Sequence, residues 1–120
     1  MKRDFDLIRN ILLQVEAAPA GTPCIRLSVL EGYDQATVYE HIGMLKEAGL
    51  LEAAILRGGR GILDVHVKRL TWEGHDFIQA ASQESVWTKA MSTVKEKGGA
   101  VTFDVLKELL KRLALGAVGL

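Results

Sequence analysis

Residues 34–53 read DQATVYEHIGMLKEAGLLEA, and this stretch decides the fold. It predicts a helix over 35–48, with Asp34 as the N-cap and Gly49 as the C-terminal stop. One face of that helix carries apolar residues at i, i+4 and i+7, namely Val38, Ile42 and Leu45. The opposite face is left polar, so the helix is anchored on one side and open on the other.

The sequence that follows the helix predicts a β-hairpin. Apolar and polar residues alternate over 51–56 and again over 63–68, and the glycine-rich segment RGGRG at 57–61 supplies the turn. The apolar members of the alternation are Leu51, Ala53, Ile55, Leu63, Val65 and Val67.

The sequence that precedes the helix predicts a further helix and a short strand. Apolar residues at helical spacing predict a helix from Asp4 to Ala18, capped by Asp4 and ended by the Pro19–Pro23 segment. Residues 24–30, CIRLSVL, are rich in β-branched and aliphatic side chains and predict a short strand.

The remainder of the chain predicts three helices, over 72–81, from Ser85 to the Gly98-Gly99 pair, and from just after Thr102, the N-cap, to Leu115. The fold class is therefore α+β and mostly helical, with a two-stranded wing. We expect residues 1–70 to form a winged-helix-like core. We expect residues 71–120 to form a helical C-terminal extension that packs on the core as a single compact unit.

The order of elements is that of a winged-helix domain, in which residues 35–48 resemble the recognition helix of transcription regulators. One part departs from that pattern, because residues 25–33 leave little room for the helix that normally precedes the recognition helix. Either that helix is reduced to a turn or a strand, or the resemblance is partial.

Nearly the whole chain resembles one family of small bacterial, often prophage-associated, proteins that form a domain of unknown function. The resemblance is carried, in chain order, by MKRDFDLIRNILLQVE, YEHIGMLKEAGLLEA, RLTWEGHDFI, Trp87 and KEKGGAVTFDVLKELLK. It implies a winged-helix-like core with a helical extension, and a bacterial or phage origin. It implies no established activity and no catalytic residues.

Charge and composition exclude several classes of protein. The 120 residues include 15 Lys and Arg and 15 Asp and Glu, so the chain is not a strongly basic nucleic-acid packaging protein. No run reaches the ~18 apolar residues of a membrane span, and the charged N-terminus does not resemble a signal peptide. We therefore expect a soluble cytoplasmic protein.

Two sets of residues are candidates for DNA contact. The wing set is Arg57, Arg60, Lys68 and Arg69, which can neutralise phosphates or enter a minor groove. The helix set is Gln35, Thr37 and Tyr39, the only base-reading candidates on a helix that also carries acidic Glu40 and Glu47. A plain hairpin turn that tolerates solvated arginines is the simpler interpretation of the wing.

Catalytic and metal sites have little support. Cys24 is the one cysteine, and the histidines lack metal-ligand spacing, so we expect no enzyme, no metal and no cofactor. Two interpretations of the 69–77 segment remain: Trp72 and His75 form a ligand pocket, or Trp72 and Phe77 pack on the core behind a Thr71 cap. The second interpretation is preferred, and Trp87 is read in the same way.

The leading hypothesis is a phage-type or prophage-type DNA-binding transcription regulator that grips double-stranded DNA through the wing. The alternative is a protein-interaction module that docks a basic protein partner through the acidic helix 35–48, without DNA. The apolar stripe at 103–113 and the tail through Leu120 favour either a homodimer through the C-terminal helices or a helix folded back over Trp72 and Trp87.

Overall fold

The structure is a computed structural model that describes residues 1–27, 30, 32–99 and 101–117. Within that part of the chain it is α+β and mostly helical, as predicted. The elements, in chain order, are α1 (Phe5–Ala17), α2 (Gln35–Glu47), β1 (Leu51–Gly58), β2 (Gly61–Leu70), α3 (Trp72–Ala81), α4 (Glu84–Glu96) and α5 (Phe103–Ala117). This order is consistent with the predicted winged-helix-like fold.

The chain divides into two compact units, Met1–His75 and Asp76–Leu120. The boundary lies within α3, five residues beyond the end of β2 rather than directly after it. That the C-terminal helices pack on the core as one compact unit stays a prediction.

The first unit is built around the apolar stripe of α1. Asp4 caps this helix as predicted, because its Oδ1 accepts a hydrogen bond of 3.1 Å from the backbone N–H of Leu7. The helix ends at Ala17, just before Pro19. The buried stripe of the helix is Leu7, Ile8, Ile11, Leu12 and Val15, and the side chains buried elsewhere in this unit include Ile42, Leu45, Leu50, Leu51, Val67 and Leu70.

The strand predicted over 24–30 is wrong for most of its described length. Only Ile25 pairs, in an isolated antiparallel bridge in which its N–H donates to the Val67 carbonyl at 2.9 Å. This contact gives β2 one neighbour on its outer edge, and residues 24, 26 and 27 form no further ladder. Positions 28, 29 and 31 lie outside the described residues. Within 18–27 there is no helix, so no separate helix precedes α2 in that stretch.

The predicted hairpin is confirmed, with longer strands and a two-residue turn at Gly59-Arg60. The register shifts between Leu56 and Arg57, where the partner changes from Asp64 to Ile62. Leu63 is the extra residue of this β-bulge. Its predicted place on the apolar face is therefore wrong: its side chain is 61% exposed.

A close-packed corner joins the end of α2 to the start of α3. The Thr71 hydroxyl donates to the Gly49 carbonyl at 2.5 Å, and the Thr71 N–H donates to the Leu50 carbonyl at 3.0 Å. The same hydroxyl accepts the N–H of Gly74 at 3.1 Å, which confirms the predicted Thr71 cap. A Cβ at Gly74 would lie 1.9 Å from the Leu50 carbonyl oxygen, so only glycine fits there.

The second unit has its own apolar core. Phe77 and Phe103 stack with ring centroids 5.2 Å apart, and Trp87 is 4% exposed, as its structural interpretation predicted. The interpretation of Trp72 as a core residue is wrong, because its side chain is 81% exposed. Trp72 belongs to the first unit and stands at the first position of α3, outside the Thr71–Gly74 contacts that hold this turn. The remaining buried apolar side chains of the unit include Ile78, Val86, Val94, Leu106 and Leu110.

Candidate nucleic-acid interface

The N-terminus of α2 is fixed by its cap. Asp34 Oδ1 accepts a hydrogen bond of 2.8 Å from the backbone N–H of Thr37. Hydrogen bonds from the Thr37 side chain and backbone lower the pKa of Asp34, so the carboxylate stays ionised at the positive end of the helix dipole. The Thr37 backbone N–H is used in this cap, and the Thr37 residue is half-buried.

The other two members of the helix set lie together. The Gln35 side chain is exposed, and its Nε2 donates to the Tyr39 hydroxyl at 3.1 Å. Because residues four apart share one helix face, these groups form a small polar surface on the first turns of α2. The structure therefore brings Gln35 and Tyr39 together and separates Thr37 from them.

A buried histidine ties α2 to α1. His41 is fully buried; its Nε2 accepts the Asp4 N–H at 2.9 Å, and its Nδ1 lies 2.8 Å from the Thr37 carbonyl oxygen. Since a carbonyl can only accept, Nδ1 carries the proton and the ring is the Nδ1–H tautomer. Every polar atom of the ring is used inside the fold, so His41 is an anchoring residue and offers nothing to a ligand.

Tyr33 completes this anchor. Its hydroxyl donates to Asp4 Oδ2 at 2.7 Å. This hydrogen bond, together with partial burial and the negative charges of Asp4 and Asp6, raises the pKa of Tyr33 to about 12. Asp4 therefore caps α1, holds Tyr33 and meets His41, which positions the N-terminal half of α2 against α1.

The tip of the hairpin lies across the middle of α2. A Cβ built at Gly43 would lie 3.1 Å from Ile62 Cδ1 and 3.7 Å from Arg57 Nη2. Gly43 is buried by this contact and cannot enter a major groove. Lack of a side chain at position 43 lets the wing approach the helix closely.

The acidic residues of α2 face this wing tip. A Cβ built at Gly61 would lie 3.5 Å from Glu40 Oε1, and Glu47 Oε1 lies 4.0 Å from Arg57 Nη2. The sequence showed Glu40 and Glu47 only as acids carried by the candidate recognition helix, without their contact with the wing. The missed signal was Gly43 between these two acids, at a spacing that puts all three residues on one face.

The four wing cations do not form one cluster. Arg57 and Arg60 lie at the tip, whereas Lys68 and Arg69 lie near the end of β2, opposite the start of β1. Arg69 donates two hydrogen bonds to Glu52, with Nε at 3.0 Å from Oε2 and Nη2 at 2.9 Å from Oε1. These bonds lower the pKa of Glu52 and raise that of Arg69. Arg69 is thus a cross-strand brace.

Two wing cations keep their charge available. The side chains of Arg60 and Lys68 are exposed, and neither forms an ion pair with any residue in the described ranges. The charge of Arg57 is partly available, because its contact with Glu47 is long and both side chains are more than half exposed. Exposed pairs of this kind contribute little, so Arg57 can exchange Glu47 for another anion.

A cavity of about 470 Å³ separates the first half of α2 from β2. Its floor is apolar, from residues such as Ile25, Val38 and Val67, and its polar lining includes Arg26, Tyr39 and His66. Cys24 also lines it and is half-buried.

The described residues offer no metal site and no membrane-spanning helix. Among residues 1–27, 30, 32–99 and 101–117, no group of three or more His, Cys, Asp and Glu side chains is placed to hold a metal ion. No described helix is both long and apolar enough to cross a membrane. His75 is exposed beside the exposed Trp72, so these two residues do not enclose a pocket.

The chain is similar to one family model and to one bacterial protein. The family described as "Hypothetical protein (DUF2513)" matches residues 2–100. A protein of Haemophilus influenzae described as uncharacterized is 31% identical over 113 residues, which cover 94% of this chain and 95% of the relative. No solved structure matches.

Proposed function

Because the chain belongs to the DUF2513 family, whose description names no activity, we propose a function from the geometry of residues 1–75: DNA binding by a small winged-helix-type regulator. The observation that carries the proposal is the contact of the hairpin tip with α2 at Gly43. This contact brings the hairpin tip, which carries Arg57 and Arg60, against the middle of α2. DNA-binding winged helices use a wing and a helix side by side in this way.

The roles that we propose for the four wing cations follow from which of them already have an ion-pair partner. Arg60 and Lys68 contact phosphates, since both are exposed and unpaired within the described residues. Arg57 joins them by releasing Glu47. Arg69 braces the base of the wing through Glu52 and is not part of the contact.

The helix contributes a narrower contact than its length suggests. The wing covers Gly43, so only the first turns of α2 are open, and they present Gln35 and Tyr39. A glutamine amide can read adenine, but two side chains read few base pairs. Phosphate and minor-groove contacts therefore dominate, and the sequence preference is modest.

The test is fluorescence anisotropy with a random-sequence duplex at low salt. Wild-type protein is expected to bind, and R60A/K68A is expected to bind about tenfold more weakly, a loss of roughly 1.4 kcal/mol. The matched control is K95A/K97A, which removes the same charge from exposed positions at the end of α4. Absence of wild-type binding, or equal losses in the two double variants, would overturn the proposal.

The second candidate is a protein-interaction module that docks a basic partner through helix 35–48 without DNA. Exposed apolar side chains on the wing favour it, because Leu56 is 59% and Leu63 is 61% exposed, which suits a protein contact. The acids Glu40 and Glu47 would supply the charge. No DNA binding at low salt, together with partner capture that E40A/E47A abolishes, would favour this candidate.

The cellular setting is part of the proposal. We place the protein in the cytoplasm of a bacterium, acting in transcription regulation at a prophage-type operator, with no catalytic step. We also propose a homodimer through the C-terminal helices, because two-fold symmetric dimers match operators with two half-sites. The bacterial relative and the single Cys24 support the bacterial and cytoplasmic parts of this setting.

A further inference from the structure

The outward face of α5, in the second unit, carries exposed apolar side chains. A groove of about 390 Å³ runs between the end of α4 and the first half of α5, and its lining is mostly apolar. Its walls include Val94, Val105, Leu109 and Arg112. Val105 and Leu115 are 47% and 48% exposed, and they are the exposed large hydrophobic side chains of the described part of this unit.

Four residues of α5 form one stripe. Val105, Glu108, Arg112 and Leu115 follow one another at spacings of three, four and three, which is the heptad spacing of a helix that pairs with another helix. The buried Leu106 and Leu110 lie on the other side of α5. The stripe therefore points away from the packed side of its own unit.

The two charges of the stripe are unused. Neither the Glu108 carboxylate nor the Arg112 guanidinium forms an ion pair with a described residue. On the same helix, by contrast, Lys107 Nζ lies 3.7 Å from Asp104 Oδ1 and 5.5 Å from the Phe103 ring centroid. Opposite charges without partners, set between exposed apolar residues, indicate a surface that a complementary partner covers.

We propose that the occupant is a second copy of this chain, with α5 packed antiparallel against α5 across a two-fold axis. This inference rests on the proposed homodimer and names its contact face. The stripe is complementary to its own reverse, because Glu108 and Arg112 are equally distant from its centre, and so are Val105 and Leu115. In an antiparallel pair, Glu108 of each protomer faces Arg112 of the other, and Val105 faces Leu115.

The symmetry doubles each contact. Two charge pairs form at the centre, and two apolar pairs cover the exposed valine and leucine at the ends. One helix per protomer is a small surface, so we expect a concentration-dependent dimer rather than a permanent one. The charge pairs would fix the antiparallel register, since a parallel pair would place Glu108 against Glu108 and Arg112 against Arg112.

The test is sedimentation velocity without DNA, from low micromolar to near-millimolar protein. R112E and E108R should each weaken self-association about tenfold or more, since each puts two like-charge pairs into the interface. An equimolar mixture of R112E and E108R should recover it, because each variant then meets its opposite charge twice. The charge-neutral variant V105S should also weaken it. The control E96R, on α4, changes an exposed charge outside the stripe and should leave self-association unchanged.

The outcomes separate this inference from the others. Wild-type protein that stays monomeric at near-millimolar concentration would overturn both the face and the homodimer, and would leave the DNA proposal standing. A dimer that is indifferent to R112E and E108R, or a mixture that fails to recover, would overturn the face alone. A failure of the DNA proposal would leave this inference untouched, because self-association is measured without DNA.

Discussion

The base and the tip of the hairpin differ in how their side chains are buried and paired. At its base, Leu51 and Leu70 pair with 2% exposure each, Arg69 grips Glu52 through two hydrogen bonds, and Thr71 closes the corner. At its tip, Leu56 and Leu63 are more than half exposed, and the closest ion pair of Arg57 is 4.0 Å long. The base is determined by packing and positions the wing, while the tip leaves its charges available to a partner.

We expect the largest loss of stability from a substitution at the base of the hairpin. Gly74→Ala puts a Cβ 1.9 Å from the Leu50 carbonyl oxygen, which already accepts the Thr71 N–H. We expect a loss of about 3 kcal/mol or more in the free energy of unfolding, far above the ~1 kcal/mol gained from alanine's helix propensity. Denaturant unfolding measures it. The control is Gly59→Ala at the tip, where nothing lies within 4 Å; an equal loss there would contradict the contrast.

One substitution made at both ends gives the next effect. Leu70→Ala removes a side chain that is 2% exposed and should cost at least about 2 kcal/mol. Leu63→Ala removes one that is 61% exposed, at the bulge, and should change stability by less than about 0.5 kcal/mol. Thermal and denaturant unfolding of the two variants measure both losses of stability. Comparable losses would mean that the tip is packed like the base.

A smaller effect is expected where α2 is anchored to α1. Tyr33→Phe removes the hydrogen bond to Asp4 and should cost about 1 kcal/mol at neutral pH. Because folding raises the pKa of Tyr33 from 10.0 to about 12, its contribution is complete below pH 10 and is lost as the pH rises through about 12. The stability advantage of wild type over Y33F should shrink over that interval. An advantage that is constant from pH 9 to 12 would be inconsistent with the Tyr33–Asp4 bond.

Much of this contrast could be predicted from the sequence. The positions of α2, the hairpin and α3 follow from apolar periodicity, from the Asp34 and Thr71 caps, and from the glycines that follow α2 and form the hairpin turn. These are local signals, and the structure bears them out. The Glu52–Arg69 brace was missed, since its partners are distant in sequence and meet only through a bulged register.

The misses share one cause, which is tertiary contact. Leu63 has an apolar side chain at an alternating position, but the bulge after Leu56 turns it to solvent. Trp72 fits an amphipathic helix, yet it stands outside the turn that Thr71 and Gly74 hold. Glu40 is an acid on an open helix face until the wing covers that face at Gly43. None of these outcomes is encoded in local propensity.

The smallest expected effect on stability is at the two exposed wing cations, Arg60 at the tip and Lys68 near the end of β2. R60A/K68A removes two exposed charges that have no ion-pair partner in the described residues, so its unfolding free energy should match wild type within about 0.5 kcal/mol. Denaturant unfolding checks this. A larger loss would show that these side chains support the fold rather than a partner.

The most direct measurement is the salt dependence of binding to duplex DNA. If the wing holds phosphates, log affinity falls linearly with log salt, by about 0.9 per phosphate contact, and R60A/K68A lowers the slope by about 2. We expect this lower slope in R60A/K68A, and we expect the slope of K95A/K97A to equal that of wild type. A wild-type slope near zero, or an identical slope in R60A/K68A, would contradict the assignment of the wing to DNA.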